Sequence, residues 1–308
     1  MSRQLASCVV VVRPDHFGFN LETASSNVFQ NSHGVLGMSK EEVRELALVE
    51  FDEMVRVLGK AGIEVLVLES AVGVVTPDAV FPNNWFSIHE DGIVVYPMFA
   101  LSRRRERQVD ALIRLMADSG RKVKRVVDLS RDEMDGRILE GTGSMVLDRV
   151  KRCAFAVASP RTTREEFEKW CSLMDYEAIF FHAIDAEGVP VYHTNVIMAL
   201  GDGFVVICLD SVKDTREREM LIRIFEELKK EVVLISLDQV RAFCGNILQL
   251  KNKEGKKKIV MSESARRGFA GDQIGLLKKY GEIVAVSIPT IEKVGGGSAR
   301  CMLAEVFI

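Results

Sequence analysis

The sequence of 308 residues is 47% hydrophobic, carries a net charge of −3 and has a pI near 6.1. A chain of this length and composition buries a large core, and its slightly acidic balance argues against nucleic acid or an anionic membrane as its main partner. No apolar run reaches the roughly 18 residues that a membrane span needs. The N-terminal residues show no signal-peptide pattern. We therefore expect a cytoplasmic protein that binds neither nucleic acid nor a membrane.

The six cysteines form no Cys-x-x-Cys pair and show no zinc-finger spacing. Three of them, Cys8, Cys153 and Cys208, stand inside apolar runs and are predicted to be core residues. No group of histidines, cysteines and carboxylates has the spacing of a metal site. We expect reduced thiols, no metal and no cofactor.

Apolar periodicity predicts helices that alternate with strands along the chain. The first helix begins at a capping box, Ser39 to Glu42, and Gly62 ends it. Further helices are predicted at about residues 102–118, from 162, 215–230 and 262–280, and strands at 8–12, 63–68, 123–129, 178–181, 232–237 and 283–288.

Polar or glycine-rich loops recur at regular intervals between these elements. They are usually followed by two strands around a tight turn, such as Asp91-Gly92, Asp202-Gly203 or Glu254-Gly255. One residue from each loop can be aligned, at positions 84, 140, 193, 246 and 301, with spacings of 56, 53, 53 and 55 residues. A period of this length indicates a repeat array. Five ββαβ-type units around one axis would bring all five loops to one centre, so we predict a single α/β domain over residues 1–308.

The last of these loops ends in a cysteine. The glycines Gly295-Gly296-Gly297 precede Ser298-Ala299-Arg300-Cys301 and indicate a backbone that passes close to another group. A cysteine at the end of such a loop, at the start of a short strand, is a candidate nucleophile. Arg300 alternates with Cys301, so we expect it to face away and to form a structural ion pair. A flexible tail with a buried thiol is the alternative interpretation.

Three motifs resemble those of the guanidino-group-modifying superfamily, the pentein fold of arginine deiminases, dimethylarginine hydrolases and amidinotransferases. They are Leu139-Glu140-Gly141, His193-Thr194-Asn195 and the final segment from Gly295 to Met302. A fourth segment, Phe81-Pro82-Asn83-Asn84-Trp85, is similar to the branch that hydrolyses citrulline. The resemblance covers essentially the whole chain. It implies a five-fold pseudo-symmetric α/β propeller with a small-molecule substrate, and we expect a monomer or a homodimer.

The resemblance also implies roles for individual residues. Cys301 would be the nucleophile, His193 the acid and base, and Glu140 the carboxylate that binds a substrate nitrogen or steadies the histidine. Asn84 and Asn195 stand where deiminases have aspartates, and both would bind the substrate.

Charged residues elsewhere in the chain complete the predicted site. Arg161 falls where relatives place an arginine for the substrate carboxylate, and its predicted position at a helix start agrees with anion binding. Arg103 or Arg105 is a second candidate for that role. Asp78, which follows Pro77, is either a turn former or a substrate-binding residue.

These residue types suit attack on a guanidino or ureido carbon. Such a carbon is a poor electrophile, so the Cys301 thiolate would attack while protonated His193 gives its proton to the leaving nitrogen and then activates water. Carboxylates bind a guanidinium cation through charge-assisted hydrogen bonds, whereas amides both donate to and accept from a neutral ureido group. Because Asn84 and Asn195 are amides, we expect citrulline to be hydrolysed to ornithine, ammonia and carbon dioxide through a covalent thio-carbonyl intermediate.

Three alternative functions stay open at this point. The chain could hydrolyse arginine or dimethylarginine, or it could transfer an amidino group to an acceptor amine with the same residues. A non-enzymatic binding protein on the same scaffold, like the ribosome-subunit anti-association factors, is the third alternative. The joint presence of Cys301, His193 and Glu140 argues against that last reading.

Two further segments have less specific patterns. The fourth loop contains Cys244, Gly245 and Asn246, and we interpret it as a glycine-flanked turn rather than as part of the pocket. Residues 27–37 are a candidate lid that would carry His33.

Overall fold

Five small sheets of three strands each make up the architecture of this protein, for which we have a computed structural model. The structure describes residues 3–24, 27, 29–30, 37–71 and 73–308. In chain order the strands are β1 Cys8–Val12, β2 Glu64–Leu68, β3 Phe86–His89, β4 Gly92–Val95, β5 Arg125–Asp128, β6 Met145–Asp148, β7 Cys153–Val157, β8 Glu177–Phe181, β9 Met198–Leu200, β10 Phe204–Ile207, β11 Glu231–Leu234, β12 Leu248–Lys251, β13 Lys257–Ser262, β14 Glu282–Val286 and β15 Ala304–Val306.

The helices lie between these strands. Those of the described ranges are α1 Leu21–Ala24, α2 Lys40–Lys60, α3 Leu101–Arg104, α4 Val109–Asp118, α5 Gly141–Ser144, α6 Arg164–Met174, α7 Thr194–Ile197, α8 Thr215–Glu227, α9 Leu237–Arg241, α10 Glu263–Gly268, α11 Gly271–Tyr280 and α12 Pro289–Gly295. Within the part of the chain that the structure describes, no helix has the length and apolar character that a bilayer crossing requires.

Each sheet repeats one pattern of strand pairing. The middle strand pairs antiparallel with one neighbour and parallel with the other, in the orders β3-β4-β5, β6-β7-β8, β9-β10-β11 and β12-β13-β14. A helix crosses over between the middle strand and its parallel partner, because parallel strands need a long connection. The ββαβ units expected from the loop spacing are therefore confirmed.

The fifth sheet joins the two ends of the described chain. Strand β15 pairs antiparallel with β1, with Cys8 opposite Val306, and β1 pairs parallel with β2. The pairing of the last strand with the first closes the set of five sheets into a ring. The fold is the expected five-fold pseudo-symmetric α/β propeller.

Helix α2 begins at the capping box that the sequence predicts and packs one apolar face against the core. Its capping box is present, since Glu42 N donates to Ser39 Oγ at 3.2 Å and Ser39 N donates to Glu42 Oε2 at 2.7 Å. The helix buries one apolar stripe at helical spacing against the core, formed by Val43, Ala47, Phe51, Met54 and Leu58.

Two predicted helices are each interrupted. The segment predicted as 102–118 breaks between α3 and α4, where Arg103 and Glu106 turn inward and form a buried ion pair. The segment predicted as 262–280 breaks after Gly268, because Phe269 takes an extended conformation (φ −70°, ψ 142°) and enters the core. In both places tertiary contacts override a continuous helical pattern.

The loops that were aligned in the sequence occupy equivalent places in the five units. Strands β3, β6, β9, β12 and β15 each begin within a few residues after one of the five aligned positions. Short helical turns make the connection in four units, at Pro82–Asn84, Gly141–Ser144, Thr194–Ile197 and Ala299–Met302. Cys301 therefore lies in a 3₁₀ turn, and the prediction that it begins a strand is wrong.

Candidate active site

Hydrogen bonds join the second to the fifth of the aligned loops to one another at the centre of the ring. His193 Nε2 lies 2.8 Å from Glu140 Oε2, which links the second and third of the aligned loops. Asn246 Nδ2 donates to the carbonyl of Asn195 at 2.9 Å and to Cys301 Sγ at 3.1 Å, which links the last three loops. The convergence that the repeat spacing predicts is present.

A small cavity lies at this centre. Its volume is about 20 Å³, which is room for roughly one water molecule. It is lined by Thr23, Asn27, Gln30, Asp78, Phe81, Asn84, Arg103, Arg161, Tyr192, His193, Gly295, Gly296, Gly297 and Cys301. Five of the seven predicted site residues are in this set. The other two, Glu140 and Asn195, lie behind it in contact with His193 and Cys301 respectively.

The His193 imidazole is held by a buried carboxylate. Its Nε2 faces Glu140, and among the described residues its Nδ1 has no hydrogen-bond partner. Burial lowers the pKa of His193 to about 4, although the hydrogen bond and charge of Glu140 act in the opposite direction. His193 is therefore neutral near pH 7, with the Nε2 proton donated to Glu140 and Nδ1 available as a base.

Close packing fixes the position of this imidazole. A Cβ atom on Gly143 would lie 2.3 Å from Asn84 Nδ2 and 3.0 Å from His193 Nδ1. Because Gly143 has no side chain, the second of the aligned loops can pass between these two side chains without displacing them. The role of Gly143 is therefore to allow close packing in the site and not to make the chain flexible.

Glu140 is ionised although it is fully buried. Its Oε1 accepts from Phe99 N at 3.0 Å, and Oε2 lies 3.5 Å from Arg161 Nη1 and 4.0 Å from Arg103 Nη1. Burial alone would raise the pKa of Glu140, but Arg161, His193 and Arg103 together outweigh that effect and hold it at about 2. The carboxylate can therefore orient the imidazole and stabilise its cationic form.

The Cys301 thiol is enclosed by amide side chains. The residue is 4% exposed, and Sγ accepts from Asn246 Nδ2 at 3.1 Å and from Asn195 Nδ2 at 3.5 Å. Asn246 Oδ1 also accepts from the backbone N–H of Cys301 at 3.3 Å. The fourth loop is the turn that we expected, and Asn246 does not line the cavity, but Asn246 contacts the sulfur of Cys301, which that interpretation did not include. Its position in the repeat, in register with Cys301 and His193, was the signal that could have found it.

Arg103 organises the first of the aligned loops. Its guanidinium binds Glu106 with two nitrogens at 2.9 and 2.8 Å and donates to Asn84 Oδ1 at 2.5 Å. It also donates to the carbonyls of Asp78 and Phe81. Because these protein groups take up most of its donors, Arg103 holds the cavity wall in place.

Arg161 makes contacts inside the site that its position in the sequence does not predict. It stands three residues before α6, so the prediction that it begins a helix is wrong. Its guanidinium faces Glu140 at 3.5 Å, donates to the carbonyl of Thr23 at 3.2 Å and stacks 5.1 Å from the centre of the Tyr192 ring. It nevertheless lines the cavity, as its predicted role requires.

Asp78 supplies a carboxylate to the cavity wall. Its Oδ2 accepts from Asn20 Nδ2 at 2.8 Å and from Thr23 Oγ1 at 2.9 Å, and its Oδ1 accepts from Gln30 Nε2 at 3.5 Å. The residue is 2% exposed. The partners of Asp78 are therefore neutral donors of the N-terminal segment that covers the site.

That N-terminal segment also binds the glycine loop. Asn27 Nδ2 reaches the carbonyls of Gly295 and Gly296 at 3.4 and 3.3 Å, and Gln30 Nε2 reaches Gly295 O at 3.2 Å. These bonds cover the cavity. Residues 28 and 31–36 of the candidate lid, including His33, lie outside the described residues.

Arg300 faces away from the cavity, as expected from its alternation with Cys301. Its Nη2 lies 3.1 Å from Glu305 Oε2, and its Nη1 donates to the carbonyl of Leu303 at 2.8 Å. The ion pair is structural and confirms the sequence-based interpretation. Over the residues that the structure describes, no group of three or more histidines, cysteines and carboxylates is arranged to hold a metal ion.

Fold and site together define a guanidino-modifying enzyme of the pentein superfamily. The five-sheet ring and the central Cys, His and Glu side chains are the features of this class that the sequence resemblance implied. The family model for eukaryotic N,N-dimethylarginine dimethylhydrolases matches residues 13–308, and the chain belongs to this family. Members of such a family hydrolyse guanidino C–N bonds.

Solved structures with the same fold are distant in sequence. The N-terminal domain of ArgZ, an arginine dihydrolase from the ornithine–ammonia cycle in cyanobacteria, superposes with a TM-score of 0.73 at 16% identity, over 98% of this chain and 99% of that domain. AgrE in complex with ornithine and NAD⁺ gives 0.72 at 18% identity, over 97% of this chain but 39% of the longer AgrE chain. DDAH from Pseudomonas aeruginosa in complex with citrulline gives 0.64 at 12% identity, over 98% and 99%. No curated protein sequence matches the chain.

Proposed function

We propose that this protein hydrolyses citrulline to ornithine, ammonia and carbon dioxide, with Cys301 as the nucleophile. The observation that carries the proposal is the charge of the cavity wall. The charged side chains that line it are the two guanidinium groups of Arg103 and Arg161 and the carboxylate of Asp78. A guanidinium substrate would add a cation beside these two arginines, whose charges Glu106 and Glu140 already balance in part. A neutral ureido group avoids that repulsion.

Amide side chains complete a surface that suits a neutral group. Asn84 lines the cavity, and Asn195 and Asn246 surround the sulfur behind it. Amides offer N–H donors to a ureido oxygen and carbonyl acceptors to its N–H groups. The buried carboxylate of Glu140 is engaged by His193, Arg161 and Arg103, so it serves the imidazole rather than a substrate cation.

The first chemical step forms a bond between sulfur and carbon. Neutral His193 takes the thiol proton of Cys301 when the substrate is in place, and the sulfur attacks the ureido carbon. The bond from that carbon to the δ-nitrogen breaks, and His193 passes its proton to this nitrogen. Ornithine leaves, and a carbamoyl group stays bound to Cys301 as the thio-carbonyl intermediate. Glu140 stabilises the imidazolium that forms between these transfers.

The second step returns the enzyme to its starting state. Neutral His193 removes a proton from water, the hydroxide attacks the carbamoyl carbon, and the C–S bond breaks with its electron pair going to the sulfur. The carbamate that leaves decomposes to ammonia and carbon dioxide. The sum is citrulline plus water giving ornithine, ammonia and carbon dioxide.

The charged residues of the wall would hold the amino-acid end of the substrate. Arg161 can receive the α-carboxylate as a second anion beside Glu140, and Asp78 can receive the α-ammonium group. A molecule of this size needs far more room than about 20 Å³. Entry therefore requires the bonds of Asn27 and Gln30 to Gly295 to open.

Arginine hydrolysis is a second candidate, favoured by Asp78, which could pair with a guanidinium. The deciding experiment compares citrulline, arginine, dimethylarginine and agmatine with the wild type and Cys301→Ser. The measured products are ornithine and ammonia from citrulline, and for the other substrates the released ammonia or dimethylamine together with the remaining amine or ureido compound. Addition of glycine as an acceptor tests for amidino transfer. We expect citrulline to have the highest kcat/KM and Cys301→Ser to be inactive. A clear preference for arginine would overturn the substrate assignment and leave the hydrolase class intact.

We further propose that residues 1–308 act as one catalytic domain in the cytoplasm, as a monomer or homodimer. All six cysteines are free and buried, which agrees with a reducing compartment. Gel filtration and cell fractionation would test these two points.

A further inference from the structure

Asn246 is held in one orientation by its neighbours. Its Nδ2 faces the carbonyl oxygen of Asn195 at 2.9 Å and Cys301 Sγ at 3.1 Å, and its Oδ1 faces the backbone N–H of Cys301 at 3.3 Å. The opposite orientation of the amide would set oxygen against the Asn195 carbonyl and nitrogen against the Cys301 N–H. Both contacts would then be repulsive, so the network fixes an N–H donor on the sulfur.

The backbone around Asn246 is shaped for this contact. Phe243 takes a left-handed conformation (φ 62°), and Asn246 N donates to its carbonyl at 2.9 Å. A Cβ atom on Gly245 would lie 2.2 Å from the carbonyl oxygen of Val196. Only glycine lets the fourth loop approach α7 this closely, and the approach brings Asn246 to the sulfur.

Asn195 places a second amide on the same atom. Its Nδ2 lies 3.5 Å from Cys301 Sγ, from the side of the third loop, and its Oδ1, to which the thiol can donate, lies 3.8 Å from the same atom. Two amide N–H groups from different units thus converge on a thiol that is 4% exposed. A buried anion is unfavourable unless donors are aimed at it, and N–H groups on an anion form strong, charge-assisted hydrogen bonds.

We propose that Asn246, assisted by Asn195, is a catalytic residue that stabilises the anionic sulfur of Cys301 by direct hydrogen bonding. The inference rests on Cys301 being the nucleophile of the proposed function. The two amides bind the thiolate before attack. They bind it again when the C–S bond of the carbamoyl intermediate breaks and the electron pair returns to sulfur. This stabilisation adds no further positive charge to a cavity that already holds two arginines.

The ionisable groups around the sulfur are the same in the wild type and in every variant of the test. The ionisable side chains that line the same cavity or interact with Cys301 are His193, Asp78, Tyr192, Arg103, Arg161 and Arg300. None of them is changed by a substitution of Asn246. A difference between the wild type and an Asn246 variant at a given pH therefore reports the amide.

The experiment measures iodoacetamide alkylation of Cys301, located by peptide mass spectrometry, from pH 5 to 10. Asn246→Ala should shift the pH midpoint of alkylation upward and slow the reaction at pH 6 by about tenfold or more, as expected for the loss of a hydrogen bond to a charged group. Asn246→Asp, which has the same shape, should slow it further because it sets a carboxylate oxygen against the sulfur. Asn195→Ala should give a smaller shift in the same direction.

Asn252→Ala is the matched control. This asparagine belongs to the same unit, but its Oδ1 accepts from Glu254 N and Lys256 N in the hairpin turn. It should lower the melting temperature without moving the alkylation midpoint. If Asn246→Ala is folded and has the wild-type midpoint, the inference is wrong. If Asn246→Ala does not fold, an unchanged midpoint in Asn195→Ala would overturn it instead.

Failure of this inference can be told apart from failure of the proposed function. Wild-type protein that does not hydrolyse citrulline, but whose Cys301 midpoint still moves in Asn246→Ala, supports the amide contact and contradicts the substrate assignment. Wild-type protein that hydrolyses citrulline, but whose Cys301 midpoint does not move in Asn246→Ala, supports the substrate assignment and contradicts the amide contact.

Discussion

His193 Nε2 and Glu140 Oε2 lie 2.8 Å apart at a position where both side chains are almost completely buried. The carboxylate keeps its charge because Arg161 and Arg103 stand beside it, and the imidazole is neutral because burial outweighs the attraction of that charge. The pair is therefore set for proton transfer. The imidazole accepts a proton at Nδ1 and is stabilised as a cation by the carboxylate bound to its other nitrogen.

Glu140→Gln should leave the binding of substrate largely intact and reduce kcat by roughly 100-fold or more, because the imidazolium loses its charged partner. Steady-state kinetics with citrulline would measure this as a fall in kcat with a small change in KM. The substitution also removes the charge of Glu140 from beside Arg161, so the melting temperature should fall. A variant with wild-type kcat would show that the carboxylate does not assist proton transfer.

The buried histidines should make stability depend on pH in the weakly acidic range. The pKa of His193 is lowered to about 4 by burial, and that of His89 is lowered well below its usual value by burial and by Arg149. Between pH 6.5 and the lower folded-state pKa values, the unfolded chain binds protons that the folded chain does not bind. The contribution of these two histidines to the free energy of unfolding should therefore fall as the pH falls through this window, while the raised pKa values of Glu106 and Glu166 act in the opposite direction.

Urea unfolding at pH 7.5, 6.5, 5.5 and 5.0 would measure this dependence. His193→Gln should reduce the slope between pH 6.5 and 5.0 and leave the contribution of His89. Glu140, whose pKa is held at about 2, should add a further loss of stability only below about pH 4.5. A slope in the upper window that is the same in His193→Gln and in the wild type would contradict the neutral state of the imidazole.

The ion pair of Arg103 and Glu106 should be important for stability. Both side chains are buried, and Arg103 holds the loop of Asn84 through it. Glu106→Ala leaves a buried guanidinium without its main partner, which typically costs about 3–5 kcal/mol. The corresponding control is Glu53→Ala, which breaks an exposed pair with Arg56 and should not change the urea midpoint. Equal effects of the two substitutions would contradict the structural role of Arg103.

The repeated loop spacing predicted the fold because it extends along the whole chain. Five loops at nearly constant spacing specify five similar units, and the hairpin turns and the Ser39 capping box are local signals that the structure retains. The broken helices could not be predicted in this way. Residues 103–108 are all charged or polar and include no glycine or proline that would mark a break. The break accompanies the distant partners of Arg103, which only the folded chain brings together.

The sequence predicted which residues meet in the candidate site, but it did not predict the contacts between them. Spacing and residue type indicated that Cys301, His193 and Glu140 meet, but they did not show which side chain touches the sulfur. Asn246 was assigned to a turn because glycine and asparagine favour turns in isolation. Its contact with Cys301 depends on the close approach of Gly245 to the backbone of α7, which no local pattern records.

Asn84→Asp tests the link between the charge of the cavity and the choice of substrate. The substitution places a second carboxylate in the cavity wall beside Arg103 and compensates one of the two lining guanidinium charges. A guanidinium substrate then gains an electrostatic partner, while a neutral ureido group gains little. We expect the ratio of kcat/KM for arginine to that for citrulline to rise by about tenfold, the effect of roughly 1.4 kcal/mol.

The measurement compares both substrates on Asn84→Asp, on the wild type and on Asn252→Asp, which adds the same charge at a hairpin turn outside the cavity. The control should leave the ratio unchanged, because its carboxylate is not part of the wall. A ratio that rises equally in both variants would reflect net charge rather than the cavity. If Asn84→Asp remains folded and the ratio does not rise, the balance of arginines and amides around the cavity does not select the substrate.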